Sequence, residues 1–367
     1  MKALLNTLRI IRSPKVGPKT FYKLLSHHKT LDAIIDAWPS LQGVGPLVSV
    51  AVAEKEIAAH HKMGASLLTF EDPLYPSLLR GLADAPPVLS LRGHKNLLLR
   101  NNLALVGARN ASVSGCQLAE NLAEQLEKAG WGIVSGFAQG IDIAAHRGAL
   151  KRGSIAVFGC GVDVIYPKDH LKFVDRFLET GLMLSEFALG TDPFQSHFPR
   201  RNRLIAALAL GTVVIEAAFQ SGSLITANVA IELGRDVFAV PGSPMDPRCR
   251  GSNKLIKEGA TLTETVWDIL NAYPSAAVQD LKSLEAQGQM QSGVAGYVQE
   301  FYDDAQLKTK ILTALSSAAI SVDLLIESVG LSVEKVLEIL TDLELEEKIE
   351  RLAGNQIRLK GLTKSPF

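Results

Sequence analysis

Leu103-Ala104-Leu105-Val106-Gly107-Ala108-Arg109 is a short apolar run that ends in a glycine turn and an arginine. The same grammar recurs downstream. Ser135-Gly136-Phe137-Ala138-Gln139-Gly140, Gly159-Cys160-Gly161, Ser221-Gly222-Ser223 and Pro241-Gly242-Ser243 are further tight turns behind apolar runs. Apolar runs bounded by turns and separated by helical patterns predict parallel strands covered on both faces. The expected strands are Leu103–Val106, Gly132–Ser135, Ile155–Phe158, Met183–Glu186, Thr212–Ala217 and Asp236–Val240. Gln117–Ala129 and Leu224–Leu233 are the clearest intervening helices. Together they spell an α/β fold, a Rossmann-like doubly wound parallel sheet over 101–270.

Outward from this centre the pattern changes. Residues 1–70 repeat apolar positions at helical spacing and predict a small helical domain, SAM- or helix-hairpin-helix-like, whose glycine turns either offer amides to a phosphate or are ordinary connections. Its turns are Lys15-Val16-Gly17-Pro18-Lys19 and Leu41-Gln42-Gly43-Val44-Gly45-Pro46. Residues 71–100 are rich in Pro and Leu and read as an extended connector, with an edge strand at Val88–Arg92. Periodicity is lost over 271–305, which reads as a linker letting the next domain move independently. Residues 306–367 regain it. Helices at Lys308–Leu315, Val322–Val329 and Val333–Leu343 precede a hairpin over Ile349–Leu352 and Gln356–Leu359, a winged helix.

Lys+Arg and Asp+Glu both number 38 in the 367 residues, so any attraction to nucleic acid must come from local clustering. Cys116, Cys160 and Cys249 are far apart and lack metal spacing, and read as free thiols of a cytoplasmic protein. Arg9 and Arg12 interrupt the first apolar run, which argues against a signal peptide, and Leu204–Ile215 is too short to span a membrane.

The chemistry is expected at the sheet edge where the strands end. Arg109 follows the first strand directly. Gly107, Gly136 and Gly140 would let backbone amides close on a phosphate, beside Ser135. Ser221-Gly222-Ser223 opens another helix with hydroxyls and amides. Tyr166 and Lys168 offer a ring and a cation. Phe198-Pro199-Arg200-Arg201-Asn202-Arg203 sets three arginines at a helix start, against the macrodipole, which calls for an anion. His146, four residues after Asp142, reads as a structural histidine. Glu216 and Glu232 are carboxylates near these turns that could serve hydrolysis. No Walker sequence is present, and the position of the acidic ribose partner falls on Glu127, inside a helix. No nucleotide cofactor is expected.

In this order the motifs resemble the DNA-processing protein A family (DprA, also called Smf). The matching stretches are Val106–Arg109, Ser135–Asp142 with Ala145–Leu150, Gly159–Gly161 with Tyr166-Pro167, Phe198–Ala206, Ser221–Ala227, and Glu232–Arg235 with Val240–Gly242. The resemblance implies a cytoplasmic protein that binds single-stranded DNA and protects it during natural transformation in competence. It also implies loading of RecA recombinase for recombination, a homodimer through the Rossmann-like domain, and no catalytic activity. Arg109, Lys168 and the arginine cluster match that family's basic DNA-binding pocket. Two other functions compete. A nucleotide-hydrolysing Rossmann-like enzyme would carry a Pro-Gly-Gly-x-Gly-Thr loop, which the segment Phe219–Ser223 lacks. A transcription regulator would read DNA through its winged helix. Here residues 306–360 hold seven Lys+Arg against nine Asp+Glu, net −2, which favours a protein contact.

Overall fold

A computed structural model describes residues 2–273 and 304–360. The helices α1 (Lys2–Ile11), α2 (Pro18–His28), α3 (Leu31–Ala37) and α4 (Val50–Lys62) form the N-terminal unit. Thr30 and Ser49 accept hydrogen bonds from Ala33 N–H and Val52 N–H and so cap α3 and α4. Ile10, Phe21, Ile34 and Trp38 make the core of this unit.

The main sheet has nine strands. They are β1 (Ala65–Thr69), β2 (Val88–Gly93), β3 (Asn102–Gly107), β4 (Gly132–Ser135), β5 (Ile155–Phe158), β6 (Leu182–Ser185), β7 (Gly211–Ile215), β8 (Asp236–Ala239) and β9 (Thr261–Leu262). Their spatial order is β1-β2-β6-β5-β4-β3-β7-β8-β9. From β6 to β9 every pairing is parallel. The helices α5 (Val113–Lys128), α6 (Ile141–Gly148), α7 (Leu171–Leu178), α8 (His197–Ala207), α9 (Gly222–Glu232), α10 (Arg250–Lys257) and α11 (Val266–Leu270) connect the strands. Leu103, Leu105 and Ile133 bury one sheet face under α5 and α6, while Ala104, Val134 and Val157 bury the other under α8 and α9. Burial on both faces explains why these strands are unbroken apolar runs.

Two expectations need correction. Ala65–Thr69 belongs to the sheet and not to the helical unit. Val88–Gly93 is consequently not an edge strand, because it pairs antiparallel with both β1 and β6. Ala65–Thr69 alternates poorly, so periodicity does not mark it as a strand, and β2, buried on both faces, gives no sign of a second neighbour.

The C-terminal unit comprises α12 (Asp304–Ala314), α13 (Val322–Val329), α14 (Val333–Leu345) and a small sheet of β10 (Ile320–Ser321), β11 (Ile349–Leu352) and β12 (Gln356–Leu359). Most of the expected linker, 274–303, lies outside the described residues. The winged helix is docked in this structure, contrary to the independence expected of it. Val113 of α5 lies in the winged-helix core. Arg248 donates to the carbonyls of Thr313 (2.7 Å) and Leu315 (2.6 Å), at the end of α12, and is held by Asp246 at 2.8 Å. Orphan carbonyls at a helix C-terminus are a natural partner for a guanidinium.

Candidate nucleic-acid interface

Because β3 to β7 run parallel, their C-terminal ends open on one edge. The N-terminal half of α8 lies across that edge and is fastened to it. His197 Nδ1 faces the Gly159 carbonyl at 3.1 Å. Arg201 Nη1 donates to the carbonyls of Gly136 and, at 2.7 Å, Val157. Its Nε donates to Asn202 Oδ1 at 3.0 Å, and Asn202 donates to the Gly222 carbonyl at 3.1 Å. One side chain therefore joins the ends of β4 and β5 to α8.

That geometry splits the arginine cluster. Arg201 is 4% exposed and Asn202 is also buried, so neither presents itself to a ligand. Burial pushes the Asp142 carboxyl up from its ordinary range, and the neighbouring Arg201 guanidinium pulls the other way. Arg203 is half-buried and pairs with Glu186 (2.6 Å) and Asp84 (3.2 Å). The anions demanded by arginines at a helix start are thus partly internal: two carboxylates and a set of carbonyls. Arg200 differs. Its side chain is 52% exposed and only loosely engages Glu186, at 3.7 Å.

The glycine turns are also corrected. Ser135 is buried and donates to the Leu105 carbonyl at 2.6 Å. A Cβ on Gly136 would strike Arg201 and Asp142, one on Gly107 the Ile215 carbonyl, and one on Gly140 the Ala108 carbonyl. These glycines allow close packing at the strand ends. Ser221 caps α9 by accepting from Ser223 N–H (3.3 Å), and Ser223 is buried. Gly242 N–H donates to Asn253 Oδ1 (3.1 Å), and Gly161 N–H to the Thr191 carbonyl (3.0 Å). Of these turns, Gly222 is exposed.

What faces solvent is a set of cations and rings. Arg109 is exposed, and its guanidinium carbon is 4.8 Å from the centre of the Phe198 ring. Tyr166, 43% exposed, lies 5.8 Å from Phe198, ring centre to ring centre. Lys168 is exposed two residues beyond Tyr166. Rings and cations side by side form a surface on which bases can stack and phosphates be neutralised.

Glu216 and His146 are both buried. Glu216 is buried at the end of β7 and accepts from Ser112 N–H (2.8 Å) and from the Ser112 hydroxyl, while Ser112 caps α5. This carboxylate sits where a Rossmann phosphate would lie, at the N-terminus of the helix after the first parallel strand. His146 is fully buried, with Nδ1 2.8 Å from Ser154 Oγ, and burial pushes it down to about 3. It is neutral at pH 7 and has no solvent path. Burial pushes the thiols of Cys116, Cys160 and Cys249 up to about 11. Among the described residues no cluster of His, Cys, Asp or Glu could hold a metal ion.

Sequence reasoning missed Glu186, Asp84, Phe187 and Phe194 as neighbours of the arginine cluster. Asp84 lies in the connector more than a hundred residues away, and no local pattern links it to Arg203. Phe187 and Phe194, by contrast, stand within about a dozen residues of Phe198 and were readable as aromatics among cations.

The family described as DNA recombination-mediator protein A matches over residues 66–274. The chain belongs to the DprA family. The DprA-like N-terminal HHH domain matches residues 2–59 and the DprA winged helix domain residues 302–355. DNA processing protein DprA of Streptococcus pneumoniae is 45% identical over 204 residues, 55% of this chain and 72% of that protein. Protein Smf of Escherichia coli is 35% identical over 304 residues, 80% and 77% of the two chains. The crystal structure of the S. pneumoniae protein superposes with a TM-score of 0.59 at 33% identity, covering 71% of this chain and 99% of that one. DNA processing protein A from Helicobacter pylori, described for its single-stranded DNA binding mode, gives a TM-score of 0.53 at 30% identity, covering 58% and 96%.

Proposed function

We propose that this chain binds single-stranded DNA along the N-terminal edge of α8, in the cytoplasm, and passes it to RecA recombinase. The protected strand would be DNA taken up in natural transformation or an intermediate of recombination. The observation that carries this reading is the exposed set of Arg109, Tyr166, Lys168 and Arg200 around the half-buried Phe198 ring at the strand ends. Single strands offer unstacked bases to rings and a flexible backbone to cations, whereas a duplex hides its bases. The H. pylori relative, described by its single-stranded DNA binding, supports the same substrate. The family's description as a recombination mediator supports the hand-over.

The protein acts on this reading as a binding scaffold with no catalytic step and no nucleotide cofactor. Glu216 supports that, since its carboxylate already satisfies the α5 N-terminus. The proposed dimer uses the far end of the sheet. There Ile225 and Ile231 of α9 are exposed, together with Met245 and Leu262. These exposed apolar side chains are available to a partner surface. No described helix is long and apolar enough to cross a membrane.

The winged helix fits a protein contact better than DNA. Lys308 is taken up by Asp342 (2.9 Å) and Glu346 (2.8 Å), and Arg358 by Glu350 (2.9 Å). The face of α14 exposes Val333, Leu337 and Leu345 instead. The test is a salt titration with single-stranded and duplex DNA. Tighter binding of the single strand at every salt concentration supports the proposal. Equal or tighter binding of the duplex would refute it.

A further inference from the structure

A second group of rings and a cation lies beside the set just described, on the same helix start. Phe194 is 58% exposed, so its ring is open to a ligand from solvent. It is held in place. Its ring and that of His197 meet in a T, with centres 5.3 Å apart and planes at 84°. His197 in turn stacks on Phe187 at 4.2 Å and 24°. Because a carbonyl can only accept, the contact with Gly159 makes His197 Nδ1 the donor and fixes the ring. The Arg200 guanidinium carbon lies 5.0 Å from the Phe187 ring centre and remains half in water.

Both groups converge on Gly159, at the end of β5. His197 bonds its carbonyl, and a Cβ there would meet the Phe198 ring at 3.3 Å. Adjacent residues of α8 thus anchor two platforms. One is Phe198 with Arg109 and Tyr166. The other is Phe194, propped by His197 and Phe187, with Arg200 as its cation.

We infer that Phe194 is a second stacking platform, which takes a nucleobase close along the strand to the one on Phe198. The inference rests on the single-stranded DNA reading and deepens it. An anchored imidazole and an exposed outer ring together have the form of a base-stacking site. The neighbouring Arg200 supplies positive charge for the backbone at that step.

The experiment compares the full chain with F194A and F194W, each binding a fluorescent dT oligonucleotide and an abasic oligomer of equal length. Thermal melts check that each variant folds. F194A is expected to lose about tenfold in affinity for the dT strand, the range for one base on one ring. Its salt dependence should match the wild type, since no ion is lost. F194W should restore affinity, and the abasic oligomer should not distinguish the variants. Unchanged dT binding by F194A overturns the inference, and so does an equal loss on the abasic oligomer. R109A separates the two failures. If R109A weakens binding and F194A does not, the second platform alone falls. If the wild type binds no single strand, both readings fall.

Discussion

Arg109 and Phe198, 89 positions apart, meet with the guanidinium carbon 4.8 Å from the ring centre. One residue follows the first parallel strand and the other lies in the first turn of α8. The contact exists because α8 is fastened over the strand ends, and the fastening is Arg201. An exposed cation–ring contact is worth roughly 0.5–1 kcal/mol by itself. Its importance lies in placement, because the pair offers a charge and a flat face to one nucleotide.

Arg201 supports that placement from beneath. Arg201→Ala would leave the carbonyls of Gly136 and Val157 without their donor and Asp142 without its neighbouring charge. Removing one partner from a buried charged network typically costs about 3–5 kcal/mol. Urea unfolding should show a loss on that scale. A stability unchanged within 1 kcal/mol (roughly the spread of surface substitutions) would mean that Arg201 is not structural.

Much of this was legible in the sequence, and the reason is periodicity. β4 and β5 match their apolar runs residue for residue, as do α13, β11 and β12. The site was legible only as a neighbourhood. Sequence position puts Arg200, Arg201 and Arg203 together, yet the helix turns them to different environments: half in water, buried against carbonyls, and paired with Glu186 and Asp84. Their partners come from distant segments, and no local pattern records them. The glycines misled for the same reason. Gly107 and Gly140 are needed for contact with other backbone, and a glycine for packing is spelled like a glycine for phosphate.

The position of Glu216 gives a second prediction. Isothermal calorimetry with ATP, GTP and NAD should show no binding tighter than millimolar. Glu216→Ala should cost stability of about 1–2 kcal/mol, the price of a lost cap with its hydroxyl and amide left unpaired. Micromolar binding of any of the three nucleotides would contradict the scaffold reading.

Burial of His146 sets a pH dependence. Its folded pKa, about 3, lies below the ordinary 6.5. The unfolded chain therefore binds more protons between these values, and stability rises with pH across that window. The contribution is complete above pH 6.5 and is lost as pH falls toward 3. By pH 4 the loss is on the order of 3 kcal/mol. His146→Gln keeps a polar partner for Ser154 and should show a shallower fall in urea midpoint between pH 7 and 4.5. Identical falls for the two proteins would show that another group governs the acid limb.

Deletion of residues 306–367 should leave single-stranded DNA affinity within a few-fold at two salt concentrations. The same truncation uncovers Val113 and removes the carbonyls that Arg248 holds, so the melting temperature should drop. A large affinity loss with a reduced salt slope would instead place DNA backbone on the winged helix.

The most direct test concerns Arg109 and Phe198 themselves. The measurement is the affinity for a dT oligonucleotide across a series of salt concentrations, for the wild type, Arg109→Ala and Phe198→Ala. Arg109→Ala should bind more weakly and flatten the log–log slope by about one counterion. Phe198→Ala should lose the stacking share, about 1–3 kcal/mol, at an unchanged slope. Wild-type affinity and slope in both variants, with the fold intact by thermal melting, would contradict the claim that this edge holds the strand.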